Sequence, residues 1–563
     1  MEAKWIALSN TSIGIFMAFA NANMILIALP AIFAGIKFNP FSPSGIIYMM
    51  WLLMIYSIVT SVIVLTFGKI SDMFGRVKLY ILGFVIFTIG SILLSIVNAT
   101  GVTAALELII FRAVQGIGGG FMMVNSAAIL TDYFPRSELG KALGTNQIAG
   151  LIGGVVGLVL GGILAGINWR LIFIINIPIG IVGTIWSIIS LKETGVRKKT
   201  SIDVAGNATF IAGLTILLIS LTYGLLPYGD SQLGWSNPFV WAGIGVSFVL
   251  ILAFIFIELK VQSPLLELRL FKHRDFATGN LSNMLASLAR QGITFMLILW
   301  LQAIWLPLHG YSWSSVPFWA GVYMIPNLAG FAIFGPVSGY LSDRYGSKWF
   351  TVLGLSISTI SFALLAILPY DFNYAEFVII IFLMGAGMGL FTSPNTADIM
   401  AAVPPDKRGV ASGIRATLMN VASTASLALY FTIVLTGMVV MYPVYATKEL
   451  NALGLPSSVV NFIASLPATA ALFAAFLGYD PFSLVANKLP PALFHEVDKP
   501  SVFVNAIAPS FTYGLKEAIY ISIILLIVAT VVSAIRTGEK RAARLGNDPE
   551  GNKSVQKDAQ TTG

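Results

Sequence analysis

Three arginines stand inside otherwise apolar runs of this 563-residue chain: Arg112, Arg290 and Arg415. A charged side chain costs at least ~2.5 kcal/mol at the centre of a membrane helix, so each of them needs a cavity or a partner. Arg112, Gln115, Met122 and Ser126 recur at helical spacing and share one face. That face reads as the lining of a polar cavity or as a structural hydrogen-bond node. Asn283, Ser287, Arg290, Gln291 and Thr294 form a second polar stripe, which must face a cavity or protein rather than lipid. Arg415 and Ser412 extend the cationic lining from a third run, unless Arg415 snorkels to the interface. One acid, Glu107, lies within a run and away from its ends, five residues from Arg112 and about 140° around the helix. It is a candidate proton carrier, or else a solvated carboxylate in an outer vestibule. Such groups can hold a small polar or charged solute and pass a proton.

Bond-making chemistry finds no support. The chain has no cysteine, so thiolate metal sites and cysteine nucleophiles are excluded. It holds no phosphate-binding loop, no zinc-protease motif and no dinucleotide fingerprint. Its three histidines fall between the apolar runs. No cofactor and no metal is expected, and the protein is not read as an enzyme. The net charge of +8 is spread over short loops rather than gathered on one face, which argues against nucleic acid.

The elements that must position these residues are membrane helices. Hydrophobic residues make up 57% of the chain and charged ones only 10%, against roughly 25% in a soluble domain. Mean hydropathy is +0.85. Fourteen apolar runs, from 12–33 to 516–536, are each long enough to span a bilayer, and only helices pair their backbone groups in lipid. With the N-terminus inside, inner loops and tails hold 24 of the 33 Lys and Arg, including Lys4, Lys69, Arg76, Arg136, Arg197, Lys198, Lys199, Lys348, Lys407 and Arg536. The expected location is therefore a cell membrane, multi-pass, with both termini cytoplasmic. The apolar stretch 459–478 carries Asn461, Ser465, Pro467 and Thr469 and is read as an interfacial or partly inserted hairpin within an outer loop near 438–515. Residues 538–563 read as a polar cytoplasmic tail.

The chain also contains an internal repeat. Gly68, Asp72, Gly75 and Arg76 recur as Gly339, Asp343, Arg344 and Gly346, at an offset of 271 residues for the glycines and aspartates. Gly116 and Gly118 recur at the same offset as Gly387 and Gly389. The shift corresponds to eight runs, yet each matching half has six. The expected organisation is a six-helix half at 1–191, two inserted linker helices at 192–276, and a second six-helix half at 277–537. Repeated halves are a transporter architecture, with the substrate site between them near mid-membrane.

Gly68–Arg76 resembles the signature loop of the major facilitator superfamily, and Arg112–Gly118 resembles its fourth-helix motif. Trp169–Gly180, Pro264–Phe271 and the 14-helix layout resemble its drug:proton antiporter branch. The resemblance implies an all-α major facilitator fold. It implies that Gly68, Asp72, Gly75, Arg76 and their second copies Gly339, Asp343, Arg344 and Gly346 act as a conformational latch. It marks Gly153, Gly157, Gly161 and Gly162 as the antiporter motif, although plain helix packing explains these small residues equally well. One departure matters: where the branch carries an acid nine residues before Pro30, this chain has Asn21, which cannot carry a proton. Asn21 remains a candidate for the substrate cavity or a hydrogen bond to Arg112.

The function expected from all this is secondary active, proton-coupled export of amphipathic organic compounds. The competing expectation is a carrier for a specific organic anion, drawn from three mid-span arginines set against one mid-span acid. A non-transporting sensor would be expected to carry a large soluble domain. The expected partners are the lipid bilayer, a small organic substrate and protons.

Overall fold

The computed structural model describes residues 2–536 apart from 39–44, 136–137, 195–202, 227, 230, 262–263, 265, 314, 405–406, 479–480, 483–484, 486–489, 491–493, 495–496 and 498. Arg136, Arg197, Lys198, Lys199 and the tail 538–563 lie outside the described residues.

Among the described residues, fourteen helices are long and apolar enough to cross a membrane. The first six are α1 (Ala3–Gly35), α2 (Gly45–Phe74), α3 (Arg76–Ser95), α4 (Gly101–Tyr133), α5 (Leu139–Ile167) and α6 (Leu171–Ser190, broken at Ile175). Next come α7 (Val204–Gly224) and α8 (Pro238–Lys260). Then follow α9 (Arg274–Leu308), α10 (Val316–Tyr323 continued by Ile325–Tyr345), α11 (Ser347–Ile367), α12 (Tyr374–Ala401) and α13 (Arg408–Ala452). Two short helices, α14 (Ser457–Ala464) and α15 (Ala468–Leu477), precede the last span, α16 (Pro500–Ala534).

Two helices outrun the apolar stretches that announce them. α13 is 45 residues long, about 68 Å at helical rise and twice the hydrocarbon thickness. Its last turns carry Lys448 and Glu449, which cost nothing once they stand in water. α16 likewise starts at Pro500 rather than near 516. The segment between the two helices is therefore 453–499, shorter than the 438–515 expected.

The glycines of the repeated loop do their work in the backbone. Gly75 (φ 115°) and Gly346 (φ 92°) each join two spans through a single residue in a conformation that side chains disfavour. A Cβ at Gly68 would just touch Val124 of α4 at 3.4 Å, and one at Gly339 would press on Ser393 Oγ of α12 at 2.7 Å. The two copies thus support matching close approaches, α2 to α4 and α10 to α12.

α1 packs along α5 and α4, and α4 is flanked by α2 and α3. On the other side α9 packs along α13 and α16, and α12 along α10 and α11. The pair α7–α8 leans on α2 and α13. α8 turns Phe239, Trp241, Phe248 and Phe256 outward, as a lipid-facing helix does. α14 and α15 meet at a 93° bend. All ten residues of α15 are buried, between α1 and α2 on one side and α9, α13 and α16 on the other. The end of the bundle bearing Arg76, Lys348, Lys407 and Arg536 is called the basic end below. α15 lies toward the opposite end.

Candidate transport site

A hydrogen-bonded cluster surrounds Arg112 in the first six helices. Arg112, 1% exposed, donates through Nη1 to Gln115 Oε1 at 2.8 Å. Asn21 Nδ2 donates to the same oxygen at 3.0 Å, and Gln115 Nε2 donates to Ser91 Oγ at 2.8 Å. Asn176 Nδ2 donates to Asn21 Oδ1 at 3.1 Å. Asn21 therefore reaches Arg112 through Gln115 rather than directly. The guanidinium carbon lies 4.6 Å from the ring centroid of Tyr56. A cation over an aromatic face gains about 0.5–2 kcal/mol, short of the ~2.5 kcal/mol or more that burial in a membrane costs. Arg112 Nε has no hydrogen-bond partner and no carboxylate joins the cluster among the described residues. Gly90 brings α3 close enough for Ser91 to join, since a Cβ there would meet Gln115 Cα at 2.9 Å. The motif spacing announced Gln115, but Ser91, Tyr56 and Asn176 were signalled only by the need of a buried arginine for company.

Glu107 stands apart from this cluster. It is partly exposed near the start of α4, away from the basic end, and forms no ion pair among the described residues.

The polar stripe of α9 lies in the most buried span of the bundle. Ser287 is buried, while Arg290, Gln291 and Thr294 are partly exposed. Thr294 Oγ1 bonds back to Arg290 O at 3.0 Å. Among the described residues Arg290 Nε is buried without a partner, as are Asn283 Nδ2 and Asn280 Oδ1, about two and three turns earlier. Arg415 on α13 is 3% exposed, so it does not snorkel, and its Nε too is unpaired. Further on, α9 loosens into a π-turn, Leu301–Trp305, where it meets α15. Gln302 in that turn is wholly buried with both amide atoms unpaired. π-turns concentrate at functional sites, but no periodic pattern marks this one in sequence.

The basic end carries ion pairs at each copy of the repeated loop. Arg76 Nε reaches Asp72 Oδ1 at 2.8 Å, and its Nη1 reaches Asp132 Oδ1 at 2.7 Å. Glu193 accepts from the Arg76 backbone N–H at 2.7 Å, placing a carboxylate at the N-terminus of α3. These bonds tie α2, α3 and α4 to the chain following α6. The second copy is built differently from the expectation. Arg344 is exposed and forms no ion pair among the described residues, and the side chain of Asp343 lies outside them. Ser347, which takes the place of Arg76 after the glycine, donates to Asp398 Oδ2 at 2.5 Å. The cation comes instead from the last span. Arg536 Nη1 lies 3.2 Å from Asp398 Oδ2, and its Nη2 donates to Asn395. Gly279 makes room for that guanidinium. Lys407, just before α13, pairs with Glu267 of the linker at 2.8 Å.

The glycines of α5 point two ways. Cβ atoms at Gly153, Gly157 and Gly161 would run into the backbone of Phe16, Ala20 and Met24 on α1. A Cβ at Gly162 would meet Phe318 Cα of α10 at 2.6 Å, and one at Gly321 would meet Leu158 O at 3.0 Å. So α5 and α10 interlock toward the end opposite the basic one. Nearer mid-bundle, Ser61 Oγ on α2 and Thr424 Oγ1 on α13 share a hydrogen bond of 2.9 Å.

Repeated helix bundles meeting at glycine-lined seams around buried polar residues define a polytopic membrane transporter. The profile of the Major Facilitator Superfamily matches residues 11–427, and the chain belongs to that superfamily. It is 32% identical over 424 residues to the riboflavin transporter RibZ of Clostridioides difficile (strain 630), covering 75% of this chain and 86% of the relative. It is 26% identical over 549 residues to the multidrug transporter protein MdtP of Bacillus subtilis (strain 168), covering 97% and 94%. Among solved structures, a bacterial homologue of the human lysosomal transporter Spinster, inward-facing and unoccupied, superposes with TM-score 0.54 at 16% identity over 95% of this chain and 96% of that one.

Proposed function

We propose that this protein is a proton-coupled secondary transporter that exports amphipathic organic compounds across the cell membrane by alternating access. The basic end faces the cytoplasm, as the Lys and Arg bias favours. Residues 1–191 and 277–537 act as the two rocking halves, and 192–276 as a linker that rides with the α2–α13 seam. The observation that carries this function is the α5–α10 interlock at Gly162 and Gly321. It joins the halves toward the outer end, while ion clusters at the inner end bind helices within each half. Such an arrangement suits an inward-open state whose outer seam must part for release. The names of RibZ, a riboflavin transporter, and MdtP, a multidrug transporter, support small organic cargo.

The substrate cavity is assigned to Asn21, Arg112, Gln115, Ser287, Arg290, Gln291, Thr294 and Arg415. Glu107 is assigned the proton-coupling role, because the first-helix acid of the branch is Asn21 here. Everted vesicles from cells producing the protein test the coupling. Dye uptake into energised vesicles should stop when nigericin collapses the pH gradient. Uptake that survives nigericin together with valinomycin, which removes the membrane potential as well, would rule out proton coupling.

A further inference from the structure

We propose that the transported compound is an organic anion, and that Arg415, Arg290 and Arg112 are its successive contacts on the way out. This rests on the transporter function above and names its substrate class.

The three arginines form a ladder along the bundle. Gly292 N donates to Ser426 Oγ at 2.8 Å, which sets Arg290 on α9 level with Thr424 on α13. Arg415 lies nine residues before Thr424, so about 14 Å nearer the basic end at helical rise. The Ser61–Thr424 bond puts Ser61 of α2 at the height of Arg290. Tyr56, under the Arg112 guanidinium, lies five residues further from the basic end, or about 8 Å. The three positive charges therefore stand at three heights, two on one side of the central seam and one on the other.

Each of them has a buried Nε without a partner, and none has a carboxylate within ion-pair distance among the described residues. Arg536 also has an unpartnered Nε, so the distinction is the missing carboxylate: elsewhere the same molecule pairs part-buried Arg76 and buried Arg536 with acids. Arg76 holds two carboxylates, and Arg536 holds Asp398. At mid-bundle the neutralising groups are missing, and the position beside the Arg112 cluster that could supply one is Asn21. A buried cation without a counter-ion attracts one, and an anionic cargo supplies it in transit. A guanidinium also offers a planar fork that matches carboxylate or sulfonate oxygens.

Three tricyclic dyes of similar size test the assignment on purified full-length protein: fluorescein as anion, riboflavin as neutral and rhodamine 123 as cation. Binding is measured by fluorescence polarisation, and transport in proteoliposomes. Fluorescein should bind at least tenfold more tightly than rhodamine 123. Arg290→Gln should weaken fluorescein ten- to a hundredfold and change the other two less than threefold. Arg290→Lys should retain much of the fluorescein binding. Gln115→Glu is the second variant. It sets a carboxylate against Arg112 from within and should weaken fluorescein without removing any arginine. Transport of riboflavin and rhodamine 123 without fluorescein overturns the anion assignment and leaves the transporter function standing. So does equal loss of all three dyes in Arg290→Gln with Arg290→Lys no better. Failure to move any of the three removes both.

Discussion

A single methyl group at Gly162 should shift the balance between the two conformations of the transporter. The Cβ of Gly162→Ala would sit 2.6 Å from Phe318 Cα and 2.7 Å from Pro317 O, both backbone atoms that cannot turn aside. Ordinary contact needs about 3.6 Å, so α5 and α10 must separate by about 1 Å. Overpacking of this kind costs about 1–3 kcal/mol. In the proposed division Gly162 and Phe318 belong to different halves, so the cost would fall only on the state in which those halves touch. A penalty of about 2 kcal/mol changes the ratio of the two states about 30-fold. The chain has no native cysteine, so Ile167→Cys and Ser312→Cys, both exposed, become its only spin-label sites. Double electron–electron resonance between them should show a longer distance gaining population in Gly162→Ala. Gly157→Ala is the control. Its Cβ strikes Ala20 within the first half, so it should lower thermal stability and leave the distance unchanged. A wild-type distance distribution in a folded Gly162→Ala protein would refute the claim that this seam opens.

Asp72→Asn should slow transport several-fold while substrate Kd stays within twofold. Arg76 keeps Asp132, and the pair is part-exposed, so the stability loss should stay below about 1 kcal/mol by thermal unfolding. Arg536→Gln should cost more, about 2–4 kcal/mol, because the residue is 3% exposed and its loss removes the ion pair with Asp398 and the bond to Asn395 together. A melting temperature within a degree of wild type would contradict that role. Glu107→Gln should abolish uphill transport driven by a pH gradient and spare downhill exchange. Uphill transport that survives would move the proton carrier elsewhere, with Asp398 and Glu376 next to be replaced.

The fourteen spans were legible because lipid imposes one rule, a long apolar helix, that composition alone reveals. The repeat was legible because Gly75 and Gly346 answer to backbone geometry that only glycine meets easily. The ends of α13 and α16 were not, since helix continues past the membrane into polar residues that hydropathy treats as loop. Within the site, Arg112 and Gln115 sit three residues apart on one helix, so periodicity joins them. Asn21 was marked by its departure from the family pattern, but Ser91 and Asn176 come from two further helices, and no spacing in one segment encodes a contact across four. The exchange of Arg344 for Arg536 was hidden for the same reason: the substitute arrives from nearly two hundred residues downstream.

The central claim is that this chain alone carries a small organic solute through a bilayer by moving its two halves. Its most direct test is flux into proteoliposomes containing only the purified protein, with a dye as cargo and a pH gradient imposed across the membrane. The dye should accumulate above its external concentration, and that accumulation should collapse with the gradient and be locked out by cross-linking α5 to α10 through introduced cysteines. Flux that continues unchanged through the cross-linked protein, or no flux without a further component, would contradict the central claim.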